Sequence, residues 1–117
     1  MKIKTAELDG AALNWAVAVC HYSTNDLQVM SGNIWYGRST SGFICYRPSD
    51  KWEHGGPIID REEITIDYRD NETRASIWDG EDFIDARAGK RQGLIAAMRC
   101  YVTAKLGDVV EIPDQLL

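Results

Sequence analysis

The chain has 117 residues, 44% of them hydrophobic and 26% charged, and a formal net charge of -5. That is one domain of ordinary globular composition, which excludes global disorder. The excess of 18 acidic over 13 basic residues disfavours nucleic-acid binding driven by charge, because such binding sets Lys and Arg against phosphate. No apolar run approaches the ~18 residues of a membrane span. Glu7 and Asp9 interrupt the N-terminal segment and read against a secretory signal.

Lys2–Lys4 suits a short strand. Thr5 is a candidate cap for a helix over 5–20, with Glu7 and Asp9 in its first turn. Leu8, Ala12, Trp15, Ala16 and Val19 recur at helical spacing. Residues 27–36 read as one strand interrupted by Ser31-Gly32-Asn33, and residues 42–46 as a second. The Gly- and Ser-rich segment 37–42 connects them, and the two Ser-Gly dipeptides suggest the turns of a meander.

Ser49 or Asp50 can cap a central helix. Gly55-Gly56-Pro57 predicts either two short helical pieces or one helix starting near Pro57. Residues 64–68 and 74–78 alternate cleanly around a polar turn and predict a hairpin, with 83–87 as a further strand. Residues 94–107 give the clearest helix: Leu94, Ile95, Met98, Val102 and Leu106 form its stripe, and Gly107 ends it. The tail packs through Val109, Val110 and Ile112 and is expected to fray after Pro113. The order predicts an α+β fold, an antiparallel sheet packed with an N-terminal, a short central and a long C-terminal helix.

Three segments resemble a known family. KTAELDGAALNWAVA, YRPSDKWEHGGPIIDREEITI and LIAAMRCYVTAKLGDVVEIP are similar to the NinX-type proteins of tailed bacteriophages. Tyr46, Pro48, Ser49 and Trp52 ahead of Gly55-Gly56-Pro57 also resemble the phage ABA sandwich domain, an α/β/α sandwich. Residues 23–45 match least and read as a hairpin insertion within a single phage accessory domain, 1–117. The resemblance implies a setting, the cytoplasm of the infected bacterial host, and carries no catalytic residues.

Cys20, Cys45 and Cys100 have neither the number nor the spacing of a disulfide or zinc framework, and read as buried reduced thiols. His21 and His54 belong to no metal motif. The acids of the second half read as solvated loop residues with no spacing that selects a catalytic set. No catalytic residue, metal or cofactor is therefore expected, and the protein reads as a non-enzymatic binding protein.

Two ligand-binding readings remain. Trp35, Tyr36 and Trp52, together with the acidic second half, offer surface for engaging a host bacterial protein, with His54 as a further ligand contact. Alternatively, the protein is a sponge for a nucleotide messenger, cyclic or of ADP-ribose type. Bases would stack on Trp35 or Trp52, and Arg38, Arg87, Lys90 and Arg91 would pair with phosphates. Lys90 and Arg91 precede the long helix, whose N-terminus favours anions. Either reading is compatible with a homo-oligomer, and neither involves a membrane.

Overall fold

The computed structural model describes residues 1–38 and 42–117, with Arg38 described for its backbone alone. The elements are β1 (Lys2–Lys4), α1 (Gly10–His21), β2 (Leu27–Met30), β3 (Asn33–Arg38), β4 (Gly42–Cys45) and α2 (Trp52–Glu62), followed by β5 (Thr65–Tyr68), β6 (Thr73–Trp78), β7 (Phe83–Ala88), α3 (Gly93–Leu106) and β8 (Val109–Glu111). The class is α+β as expected. The single sheet anticipated from sequence resolves, among the described residues, into three antiparallel sheets: β1-β8, β2-β3-β4 and β5-β6-β7.

The last sheet forms the hairpin read from alternation, with Ile66 opposite Ala75 and Ile77 opposite Ile84. Ala75 and Ile77 are buried while Trp78 is exposed, so one face packs on α3 and the other is open. α3 carries more than the predicted stripe: Ala96, Ala97, Cys100 and Tyr101 are buried as well. Small residues let the sheet approach one side of this helix while α1 and α2 approach the other. Leu106, at its last turn, is exposed.

Several boundaries differ from expectation for local reasons. Thr5 does not cap α1; it is buried in a 3-10 turn, and its hydroxyl donates to the Gly107 carbonyl at 2.7 Å. Asp9 occupies the N-cap position of α1, and Gly10 follows with φ +52°. Residues 27–36 are two strands, because Ser31 and Gly32 both take positive φ and turn the chain into a hairpin. α2 is one helix running through Gly55-Gly56-Pro57, preceded by Lys51 rather than capped by Ser49 or Asp50. Pro57 is exposed, as is Glu53, whose carbonyl loses the helical partner that a proline cannot supply. The tail does not fray at Pro113: β8 pairs with β1, and Asp114–Leu116 form a 3-10 turn. Residues 39–41 of the predicted connecting loop lie outside the described residues.

Gly55 sets how closely α2 approaches the rest of the fold. A Cβ there would lie 2.5 Å from the Pro48 carbonyl oxygen and 2.6 Å from Leu94 Cδ2. Gly55→Ala is therefore expected to cost about 1–3 kcal/mol through overpacking, read as a lower urea midpoint. Gly93→Ala is expected to cost less, although its Cβ would meet the Tyr68 hydroxyl at 2.3 Å. Tyr68 is exposed and can swing aside, whereas the Pro48 backbone cannot. Equal losses for the two variants would contradict this assignment.

Candidate functional site

α1 ends at His21 and Tyr22 because Ser23, Thr24 and Asn25 start a 3-10 turn, with the Ser23 hydroxyl accepting from the Asn25 N–H. Buried Asn14 on the same helix accepts the Ser49 N–H at 2.9 Å and pins the 46–50 segment against α1. β3 delivers Tyr36, the end of β4 delivers Tyr46, and α2 delivers Glu53, His54 and Arg61. These side chains line an open cleft of about 390 Å³, with Pro57 and Ile58 in its wall.

The cleft is built from aromatic rings. Tyr22 and Tyr36 stack with centroids 4.6 Å apart. Tyr46 stands nearly perpendicular to both, at 5.5 and 5.4 Å. His21 lies edge-on to Tyr22, and His54 lies 5.5 Å from Tyr46. Such edge and offset contacts each add about 0.5–1.5 kcal/mol beyond burial.

A polar chain runs beneath the rings. His21 Nε2 is 2.7 Å from the Tyr46 hydroxyl and His21 Nδ1 is 3.3 Å from that of Tyr101. A neutral imidazole donates from one nitrogen and accepts at the other, so one hydroxyl accepts from the ring and the other donates to it. Arg61 Nη2 donates to the Tyr101 hydroxyl at 3.2 Å, and its Nε donates to Glu62 at 3.0 Å. Glu62 also pairs with Lys105 at 3.2 Å. His54 Nδ1 accepts the Arg47 N–H at 2.9 Å, so a neutral His54 carries its proton on Nε2. Among the described residues no buried side-chain polar atom is left without a partner.

Burial, followed by the neighbouring Tyr36 hydroxyl, pushes Tyr22 up to about 12. Burial also raises Tyr46 and Tyr101. These groups stay protonated at neutral pH and act as hydrogen-bond donors and acceptors. Cys20 and Cys100 are pushed up to about 12, chiefly by burial, which keeps them as unreactive thiols. Among the described residues no three His, Cys, Asp or Glu side chains converge to hold a metal ion.

Burial, then Arg61, lowers the His21 pKa below its ordinary 6.5. The unfolded chain therefore binds this proton first as pH falls, and stability rises with pH across that interval. The melting temperature is expected to fall as pH drops below about 6.5, with a shallower slope in His21→Gln. An unchanged slope in that variant would contradict the burial of a neutral ring.

The residues singled out from sequence divide among several places. Tyr36 and His54 line the cleft. Trp35 lies on the opposite face of β3, with its indole N–H donating to the Met30 carbonyl at 3.2 Å. The Arg38 side chain lies outside the described residues. Arg87 is exposed on the open face of β7, its guanidinium 3.8 Å from Glu72. Trp52, Tyr68 and Arg91 border a smaller depression of about 190 Å³ at the start of α3. This adjoins a groove of about 580 Å³ lined by Tyr68, Arg69, Asp70, Asn71, Lys90 and Arg91, larger than the tyrosine-lined cleft and of mixed charge. The Tyr68 hydroxyl packs against Gly93, the first residue of α3, and so occupies part of the helix terminus expected to take an anion.

Tyr22, Tyr46, Arg61 and Tyr101 were not anticipated as site residues, and His21 was weighed only as a metal ligand and set aside. Some acids of the second half serve local structure. Asp79 Oδ1 accepts the Glu81 and Asp82 N–H groups, and Glu72 faces Arg74 and Arg87.

Among known families, the model described as "Bacteriophage P22, NinX" matches residues 4–105. No curated protein matches the chain.

Proposed function

The chain belongs to the NinX family of bacteriophage proteins, and from that premise we propose that it is a non-enzymatic accessory protein that binds a host factor. The setting would be the cytoplasm of the infected bacterium, and the binding surface the tyrosine-lined cleft. The observation that carries this reading is the convergence of Tyr22, Tyr36 and Tyr46 with His54 and Arg61 on an open cleft. Tyrosine and arginine dominate the energetics of protein interfaces, because each offers a broad contact surface with polar groups attached. The cleft has its own hydrogen-bonded base, which fixes the rings before a partner arrives and lowers the ordering cost of binding. Protonated tyrosines and a neutral His21 suit recognition better than nucleophilic chemistry. The test is enrichment of host proteins from phage-infected cells on tagged wild-type, Tyr36→Ala and Arg61→Glu protein. A host protein retained by the wild type and lost by both variants supports the reading; equal retention by all three refutes it.

One observation favours a nucleotide messenger as the ligand: Trp52, Tyr68, Arg69, Lys90 and Arg91 gather around the start of α3. An exposed indole beside Arg91, with Lys90 in the adjoining groove, suits a base with its phosphates. A thermal-shift screen against cyclic and linear nucleotides tests it. Binding at a hundredfold excess over Kd adds about 2.7 kcal/mol of stability, and that gain should vanish in Trp52→Ala and Arg91→Ala. Absence of any shift removes this alternative.

A further inference from the structure

We propose that the open edge of β4 pairs antiparallel with β4 of a second copy, centred on Ile44, so that two tyrosine-lined faces join into one surface. This goes beyond the binding role of the cleft and does not depend on what the cleft holds.

The hydrogen-bond parity of β4 is fixed by its partner strand. Ile44 lies opposite Tyr36, and the Tyr46 N–H donates to the Ile34 carbonyl at 2.7 Å. In an antiparallel ladder alternate residues turn their peptide groups to the same neighbour. Residues 42, 44 and 46 therefore bond to β3, and Phe43 and Cys45 present their N–H and C=O groups to the open edge. That edge closes at Arg47, whose N–H is taken by His54.

Side chains and charge agree with the backbone. Phe43 and Ile44 point to opposite faces, yet they are 41% and 50% exposed, so neither face of the strand is covered. Edge strands usually carry charges or proline that prevent pairing. β5 has Asp67, β7 has Asp85 and Arg87, and β1 has Lys2 and Lys4; β2, Leu27–Met30, is uncharged like β4 but lies at the opposite edge of the sheet from it. Residues 42–46 carry no charge and are followed by Arg47. Two copies of net charge -5 repel least at an uncharged segment whose adjoining charge, Arg47, is neutralised by Asp50.

Pairing centred on Ile44 sets Phe43 against Cys45 of the second copy and Cys45 against its Phe43, each pair exchanging both backbone bonds. Ile44 then meets Ile44 of the second copy as the intervening non-hydrogen-bonded pair. Leu27, Tyr36 and Ile44 already form one row across the sheet. The second Ile44 is the next member of that row, two strands from Tyr36 in the cleft.

The test is Ile44→Cys in a Cys45→Ser background, under mild oxidation. Non-hydrogen-bonded partners lie ~4.5 Å apart between Cα atoms, inside the disulfide window, so a covalent dimer should form rapidly. Gln28→Cys in the same background, on the edge strand at the other side of the sheet, should cross-link far more slowly. Native mass spectrometry should give twice 13.2 kDa for the wild type and the single mass for Phe43→Pro, which removes an outward N–H and leaves the β3 bonds intact. A monomeric wild type overturns the proposal. So does a dimer that survives Phe43→Pro, or cross-linking at Ile44→Cys no faster than at Gln28→Cys.

Discussion

Tyr46→Ala is expected to cost about 3–5 kcal/mol of folding stability, the range for a large aromatic removed from a core. Tyr46 is 4% exposed and contacts the rings of His21, Tyr22, Tyr36 and His54. Its loss would leave the Tyr22–Tyr36 stack without its perpendicular neighbour and His21 without a partner at Nε2. Tyr46→Phe separates the two contributions. It keeps the ring and strips the hydroxyl, so the cost is that of one hydrogen bond to a half-buried nitrogen on the cleft, about 0.5–1.5 kcal/mol. Urea denaturation of both variants measures this directly. A loss for Tyr46→Phe as large as for Tyr46→Ala would mean that the hydrogen bond, rather than the ring packing, holds the cleft together.

The second large effect is on partner binding. Tyr36→Ala and Arg61→Glu are each expected to weaken binding of the host factor by about 2–4 kcal/mol, roughly thirty- to thousandfold in Kd. Tyr36 supplies one face of the stacked pair. Arg61 supplies the positive charge of the cleft lining, with Glu53 as its acidic counterpart on the same helix. Arg61 is also held by Glu62 and Tyr101, so its guanidinium is already oriented. Trp35→Ala, on the opposite face of β3, should leave affinity within a factor of a few. Titration calorimetry with the partner recovered from infected cells checks all three. A larger loss at Trp35 than at Tyr36 would move the binding surface to the other side of the sheet.

Local structure was legible where one period dominates. Alternation over 64–68 and 74–78 announced the β5–β6 hairpin, and the apolar spacing over 94–107 with Gly107 announced α3. α2 was obscured because Gly55-Gly56-Pro57 has the composition of a break. Gly55 is there for a close approach to Pro48 and Leu94 instead, a reason visible only in three dimensions. The division of the strands into three sheets depends on long-range pairing such as β1 with β8, which no local pattern encodes.

The cleft was hidden for a related reason. Its residues come from α1, β3, the end of β4 and α2, with Tyr101 of α3 beneath, and no two of these segments share a motif. Tryptophans draw attention in a sequence, yet Trp35 faces away and Trp52 sits in another depression. The spaced tyrosines at 22, 36, 46 and 101 were the available signal, and its meaning depended on the fold bringing them together.

In the proposed function the cleft contacts the host factor. Site-specific photo-cross-linking in infected cells tests it most directly, with a photoreactive residue replacing Glu53 at the cleft or Thr65 on the open face of β5. Both positions are exposed, so substitution should leave the fold intact. A discrete host adduct from position 53 and none from position 65 is the predicted result. An adduct from position 65 alone, or none from position 53 when the complex is demonstrably formed, would contradict it.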